Sequence, residues 1–522
     1  MTKSGLFTSQ DGKSLLVPFM LVSSLFLLWG FCNGMIDVMD KHFQEELHLT
    51  LAQSAWVQFA HYLGYFLMAM PAGWLASKLG YKGGIIAGLL MVAVGGFWFI
   101  PATKIATFPA FLLGVCIIAS GLTFLETVAN PYTTVLGPKR FAATRINLAQ
   151  SCNGIGWIFG PIAGAQFFYG QDAAGKSTGS ETLCIPYAAV GGFVLILAVV
   201  FFFSNLPEIK AQDEFHPDDS DKLTATVRPP NRATALSLLW MNIAVLSVAV
   251  GMIFSAIVAI PAVGLKLRLT ENQALWYASG VLLVIGSAVF FRKNDKVTRH
   301  SIWSHPHFSG ATLTQFFYVA AQCGIFAYFI NYMTSQIPAI PDSWKAGSFG
   351  TWFEINKSGI LGLSDKGASN LAAGGFFLFL LGRFIGAALL KKYPAHKVLS
   401  TFACLAAACS LLVFLKLGWL AAIALFLSYF FMSIMFPTIF SLGIHGLGSQ
   451  AKQASSFIVM AIMGGAIMPK LMGHIADTNK DGMSAGFIVP LVCFVWVACY
   501  GFFWSKLSGS TGVIGVAPTK GH

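Results

Sequence analysis

A glutamate lies in one of the most apolar stretches of the chain. Residues 121–132 read GLTFLETVANPY and follow the run PAFLLGVCIIAS, so Glu126 falls inside a prospective membrane helix. Asp37 has a comparable place in LLWGFCNGMIDVMD. A carboxylate at bilayer depth costs about 3 kcal/mol or more unless it faces a protein-lined or watery interior, and such residues commonly mark ion or substrate pathways. Both acids are therefore candidate functional residues.

Amide and aromatic side chains recur beside these acids at helical spacing. Trp29, Asn33 and Asp37 are four residues apart, which places them on one face of a helix, and Glu126 and Asn130 repeat that spacing. Further ladders of spacing three or four run through Asn147, Gln150 and Asn153 and through Tyr318 and Gln322. Such faces suit a neutral monosaccharide, whose hydroxyls need amide or carboxylate partners and whose apolar ring face packs on an aromatic ring.

Composition identifies the elements that must position these residues. Of the 522 residues, 56% are hydrophobic and only 10% are charged, which is typical of an integral membrane protein. The first charge-free run, residues 14–36, exceeds the roughly 20 residues that a helix needs to cross the hydrocarbon core. Because more apolar runs follow directly, this segment is predicted to be a membrane span and not a cleaved signal peptide.

Apolar runs of membrane length predict six spans in each half of the chain. Those of the first half are 14–38, 52–75, 84–101, 108–135, 146–169 and 186–205. Those of the second half are 308–333, 371–390, 397–416, 418–443, 453–475 and 484–505. We therefore predict an all-α polytopic membrane protein.

A charged linker, LPEIKAQDEFHPDDSDKLTATVRPPNR, separates the two sets and is followed by charge-free runs at 233–265 and 272–291. These runs predict two extra spans, 14 in all; the alternative is that one of them is re-entrant or lies on the membrane surface. The predicted domains are an N-terminal bundle at 1–206, a cytoplasmic linker with two extra helices at 207–300, and a C-terminal bundle with a short tail at 301–522.

The distribution of positive charge predicts the orientation. Most of the 33 lysines and arginines fall in loops on the side of the N-terminus, and cytoplasmic loops collect positive charge. We therefore expect a multi-pass protein of the cell membrane with both termini cytoplasmic. The net charge of +12 reflects this bias, and no basic run interleaved with aromatic residues indicates nucleic-acid binding.

Motif searches argue against an enzyme. The nine cysteines are scattered without a C-x-x-C pair, so neither a disulfide framework nor a metal site is indicated. The sequence contains no H-E-x-x-H, G-x-S-x-G or G-x-x-x-x-G-K-[ST] motif, so the chemistry of membrane proteases, hydrolases and ATP-driven pumps is missing. We predict no cofactor.

Five stretches carry a family resemblance: WGFCNGMIDVMDKHFQ, FLETVANPYTTVLGP, RINLAQSCNGIG, SIMFPTIFSLGIHGLG and SSFIVMAIMGGAIMP. Together they resemble the L-fucose:proton symporter family of the major facilitator superfamily, which also contains glucose/galactose transporters. The resemblance covers roughly residues 14–206 and 301–505. The lysine-bearing turns in GWLASKLGYKGGI and GAALLKKYPAHKVL also fit the internal repeat of that superfamily, in which a site between two six-helix halves opens to alternate sides.

The resemblance implies roles for individual residues. Asp37 matches the family's proton-coupling aspartate, and Glu126 matches a glutamate that serves both sugar binding and proton coupling. Gln150 and Asn153 match sugar contacts, whereas Ile36 replaces an asparagine that the family tends to have. Burial disfavours a bare carboxylate, so a protonated, neutral carboxyl would let the sugar-loaded protein change access.

The predicted function is import of a neutral monosaccharide of the L-fucose, galactose or glucose type by proton symport, in a monomer within the lipid bilayer. Sodium coupling, facilitative transport and a non-transporting sugar receptor of the same fold are the alternatives. Individual residues also have structural alternatives. Glu126 could pair with Arg383 or Lys470, Gln150 and Asn153 could hold helices together, and Trp29 and Tyr318 could be core residues.

Overall fold

The computed structural model describes residues 7, 14–46, 48–54, 56–136, 142–168, 183–207, 232–258, 269–293, 302–341, 343, 350–355, 361–390, 393–444 and 451–508. The first half contains helices α1 (Leu16–Glu46), α2 (Leu51–Ser54), α3 (Trp56–Ile105), α4 (Phe108–Val135), α5 (Ala142–Phe168) and α6 (Cys184–Phe203). Helix α3 comprises two spans, because Gly80 breaks it with φ 72° and ψ 179°. Glycine reaches positive φ without steric cost, so Gly80 forms the tight turn expected in GWLASKLGYKGGI.

Two inserted helices, α7 (Arg232–Val258) and α8 (Glu271–Lys293), lead into the second half. That half contains α9 (Pro306–Ser335), α10 (Asp365–Leu390), α11 (Ala395–Phe414), α12 (Trp419–Met432), α13 (Met435–Ile444), α14 (Ala451–Met460), α15 (Gly464–Thr478), α16 (Met483–Gly486) and α17 (Ile488–Ser508). Short 3₁₀ turns occupy Ile302–Ser304, Gly350–Trp352 and Ala461–Met463. Before α10, strands β1 (Phe353–Ile355) and β2 (Leu361–Leu363) pair antiparallel, with Glu354 opposite Gly362.

Helices occupy all the positions at which spans were predicted. Within the described residues, 12 helices are long and apolar enough to cross a membrane, and they include the inserted helices at Ala233–Ser255 and Glu271–Lys293. Two more helices, the first part of α3 and the whole of α5, lie at the predicted spans 52–75 and 146–169. These two helices carry several polar residues, among them Gln58, His61, Gln150 and Asn153, which lowers their mean hydropathy.

Helices α1 and α5 pack with their backbones in direct contact. A Cβ atom at Gly156 would lie 2.2 Å from the carbonyl oxygen of Leu27, and one at Gly30 would lie 2.1 Å from that of Asn153. Gly34 and Gly160 meet in the same way one turn further along. Small residues at spacing four allow membrane helices to approach this closely. The contact places Asn153 of α5 directly against Gly30 of α1.

The two halves of the chain meet along α5, α9 and α10. The Trp157 ring lies 5.3 Å from the Phe326 ring and 4.8 Å from the Phe376 ring, measured between centroids. Nearer the end predicted to face outside, the Ser369 hydroxyl donates a hydrogen bond to the carbonyl of Pro161 at 3.0 Å. Aromatic packing and a hydrogen bond therefore join the halves in this conformation.

The inserted hairpin, α7 and α8, lies across the seam between the halves. Asn242 Nδ2 donates to the carbonyl oxygen of Ser309 at 3.0 Å and so fixes α7 to α9. Ala249 and Met252 of α7 belong to an apolar cluster that spans both halves, with Trp56, Phe59, Phe316, Met463, Ala466 and Ile467. Most of α8 is exposed, including Trp276 at 72% and Val284 at 69%, which is the surface expected of a lipid-facing helix.

Lys470 connects this hairpin to both halves. Its Nζ lies 3.7 Å from Glu271 Oε2 and 3.4 Å from the centre of the Trp56 ring. A cation over a tryptophan face is worth about 0.5–2 kcal/mol, whereas an exposed ion pair is worth about 0–1 kcal/mol.

We expect Lys470→Gln to lower the thermal unfolding temperature of purified protein more than Lys416→Gln does. Lys416 is the matched control, because its pair with Asp481 at 2.9 Å is exposed and no aromatic ring is recorded beneath its charge in the described part. Equal shifts for the two variants would show that the Trp56 contact contributes no stability.

Candidate functional site

Glu126 is buried on α4, with 9% of its surface exposed. Its carboxylate makes no hydrogen bond or ion pair with any residue in the described part of the chain. The two cations considered as partners are engaged elsewhere. Lys470 lies against Glu271, and Arg383 Nη1 donates to the carbonyl of Gln150 at 2.9 Å. Neither Arg383 nor Lys470 therefore forms an ion pair with Glu126.

Tyr65 of α3 is the centre of a polar group beside Glu126. The indole Nε1 of Trp29 donates to the Tyr65 hydroxyl. The side chains of Asn33 and Glu126 lie near that hydroxyl. We call Trp29, Asn33, Tyr65 and Glu126 the Tyr65 cluster. It joins three helices, α1, α3 and α4, and it gives Trp29 a hydrogen-bonding role that the sequence did not predict.

A cavity lies next to this cluster, between α1, α3, α5 and α9. It has about 10 Å³ of free volume, enough for roughly one water molecule. It is lined by Asn33, Ile36, Gln58, His61, Tyr62, Trp157, Cys323 and Phe326. Ligand pockets usually measure about 300–1,000 Å³, far more than this space, so the walls must separate widely for a sugar to enter. Asn33 was predicted to bind substrate and does line this space. Ile36, which replaces the family's asparagine, lines it too and makes that wall apolar.

Two contacts join the halves at the cavity wall and beyond it, toward the predicted outer end. The Cys323 thiol lies 2.7 Å from the Tyr62 hydroxyl, within hydrogen-bonding distance. At the end of α1, the Gln44 side chain accepts a hydrogen bond from the Asn331 amide of α9. These contacts would have to break for a solute to reach the cavity from that side.

Gln150 and Asn153 occupy successive turns of α5. Asn153 is fully buried, and within the described part neither its Oδ1 nor its Nδ2 has a hydrogen-bond partner. The backbone of Gln150 holds Arg383, whose Nε also lies 3.4 Å from the carbonyl oxygen of Ser433. Arg383 thus ties α5 to α10 and to the turn after α12. The unpaired amide of Asn153 is a better candidate for a ligand contact than for a link between helices.

Tyr318 and Gln322 of α9 have different environments, although their spacing predicted a shared face. Tyr318 is fully buried, and its hydroxyl donates to the carbonyl of Met432 at 3.1 Å. Gln322 is half-buried and makes no hydrogen bond within the described part. It directly precedes Cys323 of the cavity wall. Gln322 is therefore adjacent in sequence to a cavity-lining residue, whereas the hydroxyl of Tyr318 is already bonded to the backbone at Met432.

Three predicted polar side chains, those of Asp37, Asn130 and Asn147, lie outside the described residues. The backbone of Asp37 is described, one turn after Asn33 on α1. This places it about 6 Å further along the helix axis, toward the predicted outer end. Among the described residues, no group of three or more His, Cys, Asp or Glu side chains could hold a metal ion.

Sequence reasoning missed Tyr65, the centre of the Tyr65 cluster, and His61, which lines the cavity. Gln58, His61 and Tyr65 are spaced three and four apart, so the same test of helical spacing applied to α3 would have found them.

Comparison with known proteins agrees with this architecture. Residues 19–323 match the family model of the Major Facilitator Superfamily. The L-fucose-proton symporter of Escherichia coli (strain K12) is 34% identical, with 95% of each chain covered. A glucose/galactose transporter of Brucella abortus biovar 1 is 28% identical over 92% of each chain.

Solved structures give the same result. A crystal structure of a variant of the Escherichia coli fucose:proton symporter aligns with a TM-score of 0.58 at 30% identity, covering 94% of this chain and all of that one. A D-xylose-proton symporter aligns with a TM-score of 0.59 at 11% identity over 96% of this chain and 99% of its own, which shows the shared fold alone. The chain belongs to the Major Facilitator Superfamily, and within it to the family of the L-fucose-proton symporter.

Proposed function

We propose that this protein imports a neutral monosaccharide of the L-fucose, galactose or glucose type together with a proton. The observation that carries the proposal is Glu126, a buried carboxylate with no ion-pair partner in the described part. It belongs to the Tyr65 cluster, whose Asn33 also lines a cavity with other amide and aromatic groups. An unpaired acid inside a membrane bundle is costly when ionised and is relieved by taking up a proton. The relatives support sugar and proton as the two solutes, and the protein is a transporter and not an enzyme.

The proposed cycle follows from these positions. From the outside, a proton reaches Glu126, with Asp37 as a second acid nearer the entrance. The sugar then binds among Asn33, Glu126, Gln150, Asn153 and Gln322, while Tyr318 supports the wall from behind. With its acid neutral and its amides satisfied, the site can pass between the two access states without exposing a bare charge to low dielectric. Release of sugar and proton on the inside restores the charged state.

The arrangement in the membrane completes the proposal. We place the protein in the cell membrane as a monomer, with both termini and the 207–231 linker on the cytoplasmic side. The two halves, residues 1–206 and 301–522, act as the bundles that rock about the central site, with the inserted hairpin between them in sequence. The Gln44 contact with Asn331 supports this assignment, since it joins the halves at one end of the cavity.

Uptake by purified protein in liposomes tests the proposal. Labelled L-fucose, galactose and glucose are offered in turn, with an inward proton gradient or an inward sodium gradient. We expect one of them to accumulate with the proton gradient, to lose accumulation when a protonophore is added, and to be indifferent to replacement of sodium by choline. Accumulation that requires sodium would transfer the coupling role to that ion. Absence of uptake and of binding for all three sugars would overturn the proposal.

A further inference from the structure

His61 is a buried histidine in the cavity wall for which the transport cycle has so far no role. It lies on α3, one turn before Tyr65, and 3% of its surface is exposed. Its ring lies 4.9 Å from the Tyr62 ring and 5.1 Å from the Tyr65 ring, so aromatic neighbours hold it in place. Within the described part of the chain, its Nδ1 has no hydrogen-bond partner.

An unpartnered ring nitrogen is unusual in a buried histidine. Buried polar atoms nearly always have a partner, because leaving one unsatisfied costs about 1–3 kcal/mol. Three other polar residues of the cavity wall, Gln58, Tyr62 and Cys323, are better satisfied. The Tyr62 hydroxyl lies beside the Cys323 thiol, and Gln58 also has an interaction partner. Two lining residues are left with an unpartnered atom, His61 with Nδ1 and Asn33 with Oδ1.

The chemistry of this wall matches one hydroxylated ring. A neutral imidazole has one donor and one acceptor, and an asparagine amide has both, so each can satisfy a hydroxyl that donates and accepts. The cavity also presents Trp157 and Phe326, whose faces can pack on the apolar side of a sugar. Polar atoms on α1 and α3 are thus combined with aromatic rings from α5 and α9.

We propose that His61 is a further sugar-binding residue, whose imidazole hydrogen bonds to one ring hydroxyl of the transported sugar. This inference rests on the proposed function and deepens it by adding a contact from α3. It differs from the roles of Glu126 and Asp37, because His61 serves recognition and not coupling. A bridging water or simple packing between Tyr62 and Tyr65 is the competing explanation, and binding measurements separate the two.

The test compares sugar affinities of purified full-length variants. His61→Phe keeps an aromatic ring between Tyr62 and Tyr65 but removes both nitrogens, and His61→Gln keeps hydrogen-bonding capacity. His396→Phe is the matched control, because His396 also stacks on an aromatic ring, that of Trp504 at 5.4 Å, and also has an unpartnered Nδ1. It lies on α11, outside the cavity wall. The probes are L-fucose, galactose and glucose, together with the monodeoxy analogues of whichever sugar the wild type binds.

We expect His61→Phe to weaken binding about tenfold, His61→Gln to weaken it less, and His396→Phe to leave it unchanged. The analogue series is the decisive measurement. For the wild type, we expect removal of one particular hydroxyl from the sugar to weaken binding. For His61→Phe, removal of that same hydroxyl should cause no further loss of affinity. Removal of each other hydroxyl should weaken binding to the variant as much as it does to the wild type. A structural role for His61 would not erase the penalty for a single hydroxyl.

Two results would overturn the inference. One is wild-type affinity in His61→Phe, and the other is an unchanged set of deoxy penalties in a weakened variant. If His61→Phe does not fold, the same comparison is made with His61→Gln. In that variant, the loss of affinity on removal of one hydroxyl must differ from the loss seen with the wild type. A wild type that binds no sugar removes the proposed function and this inference together, whereas normal wild-type transport with ordinary His61→Phe binding removes this inference alone.

Discussion

Glu126→Gln is expected to abolish accumulation of sugar against its gradient while leaving exchange of sugar across the membrane measurable. One pH unit corresponds to about 1.4 kcal/mol, so a transporter that moves one proton per sugar can sustain about tenfold accumulation per pH unit. Glutamine keeps the size and the hydrogen-bonding capacity of the protonated carboxyl but cannot release a proton. In liposomes with a gradient of one pH unit, we expect the internal sugar concentration to equal the external one.

Glu271→Gln is the matched control for this experiment, because it neutralises a half-exposed carboxylate outside the Tyr65 cluster. We expect it to retain proton-driven accumulation. Counterflow of labelled sugar, which needs no net proton movement, should persist in Glu126→Gln and show that the variant is folded and binds substrate. Tenfold accumulation by Glu126→Gln would contradict the assignment of proton coupling to this residue.

The second large effect is expected from a substitution that disturbs folding. Gly156→Val is expected to prevent α1 and α5 from packing, because its Cβ would already lie 2.2 Å from the Leu27 carbonyl oxygen and 2.6 Å from the Phe31 amide nitrogen. Both neighbours are backbone atoms, so no side chain can rotate away. Overpacking commonly costs about 1–3 kcal/mol, and a clash with backbone across a helix pair should exceed that. We expect no monodisperse protein on size-exclusion chromatography after extraction in detergent.

Gly192→Val provides the comparison for Gly156→Val. Gly192 lies on α6, and a Cβ atom placed there meets no atom within 4 Å. We expect this variant to be purified in wild-type yield and to unfold at the wild-type temperature. If Gly156→Val behaved as Gly192→Val does, the close contact between α1 and α5 would not be a determinant of the fold.

The membrane spans and the burial of an acid at Glu126 could be predicted because both are local signals. Long apolar runs are limited by bilayer thickness, and an acid within such a run is conspicuous. The break at Gly80 was also foreseeable, since GWLASKLGYKGGI combines lysines and glycines between two apolar runs. His61 and Tyr65 were missed because histidine and tyrosine on an otherwise apolar helix resemble ordinary core residues. Only the arrangement of α1, α3 and α4 shows which groups they meet.

Tyr318 shows what residue spacing alone cannot predict, namely the hydrogen-bond partner of a side chain. Four residues separate it from Gln322, so both were placed on one sugar-facing stripe of α9. The partner of the Tyr318 hydroxyl is a carbonyl at Met432, which is 114 residues away in the sequence. A pattern along one helix contains no information on which neighbouring helix supplies an acceptor. The position of Ile36 in the cavity wall likewise required the structure.

The inserted hairpin is attached differently to the two halves. Among the described residues, its polar ties to the rest of the chain lead to the second half, through Asn242 to Ser309 and through Glu271 to Lys470. Toward Trp56 and Phe59 of the first half, α7 presents apolar side chains such as Met252. The hydrophobic effect is non-directional, so apolar contacts depend less on exact geometry than hydrogen bonds do. During a change of access, the hairpin should therefore move together with the second half, while the first half shifts along the apolar face of α7.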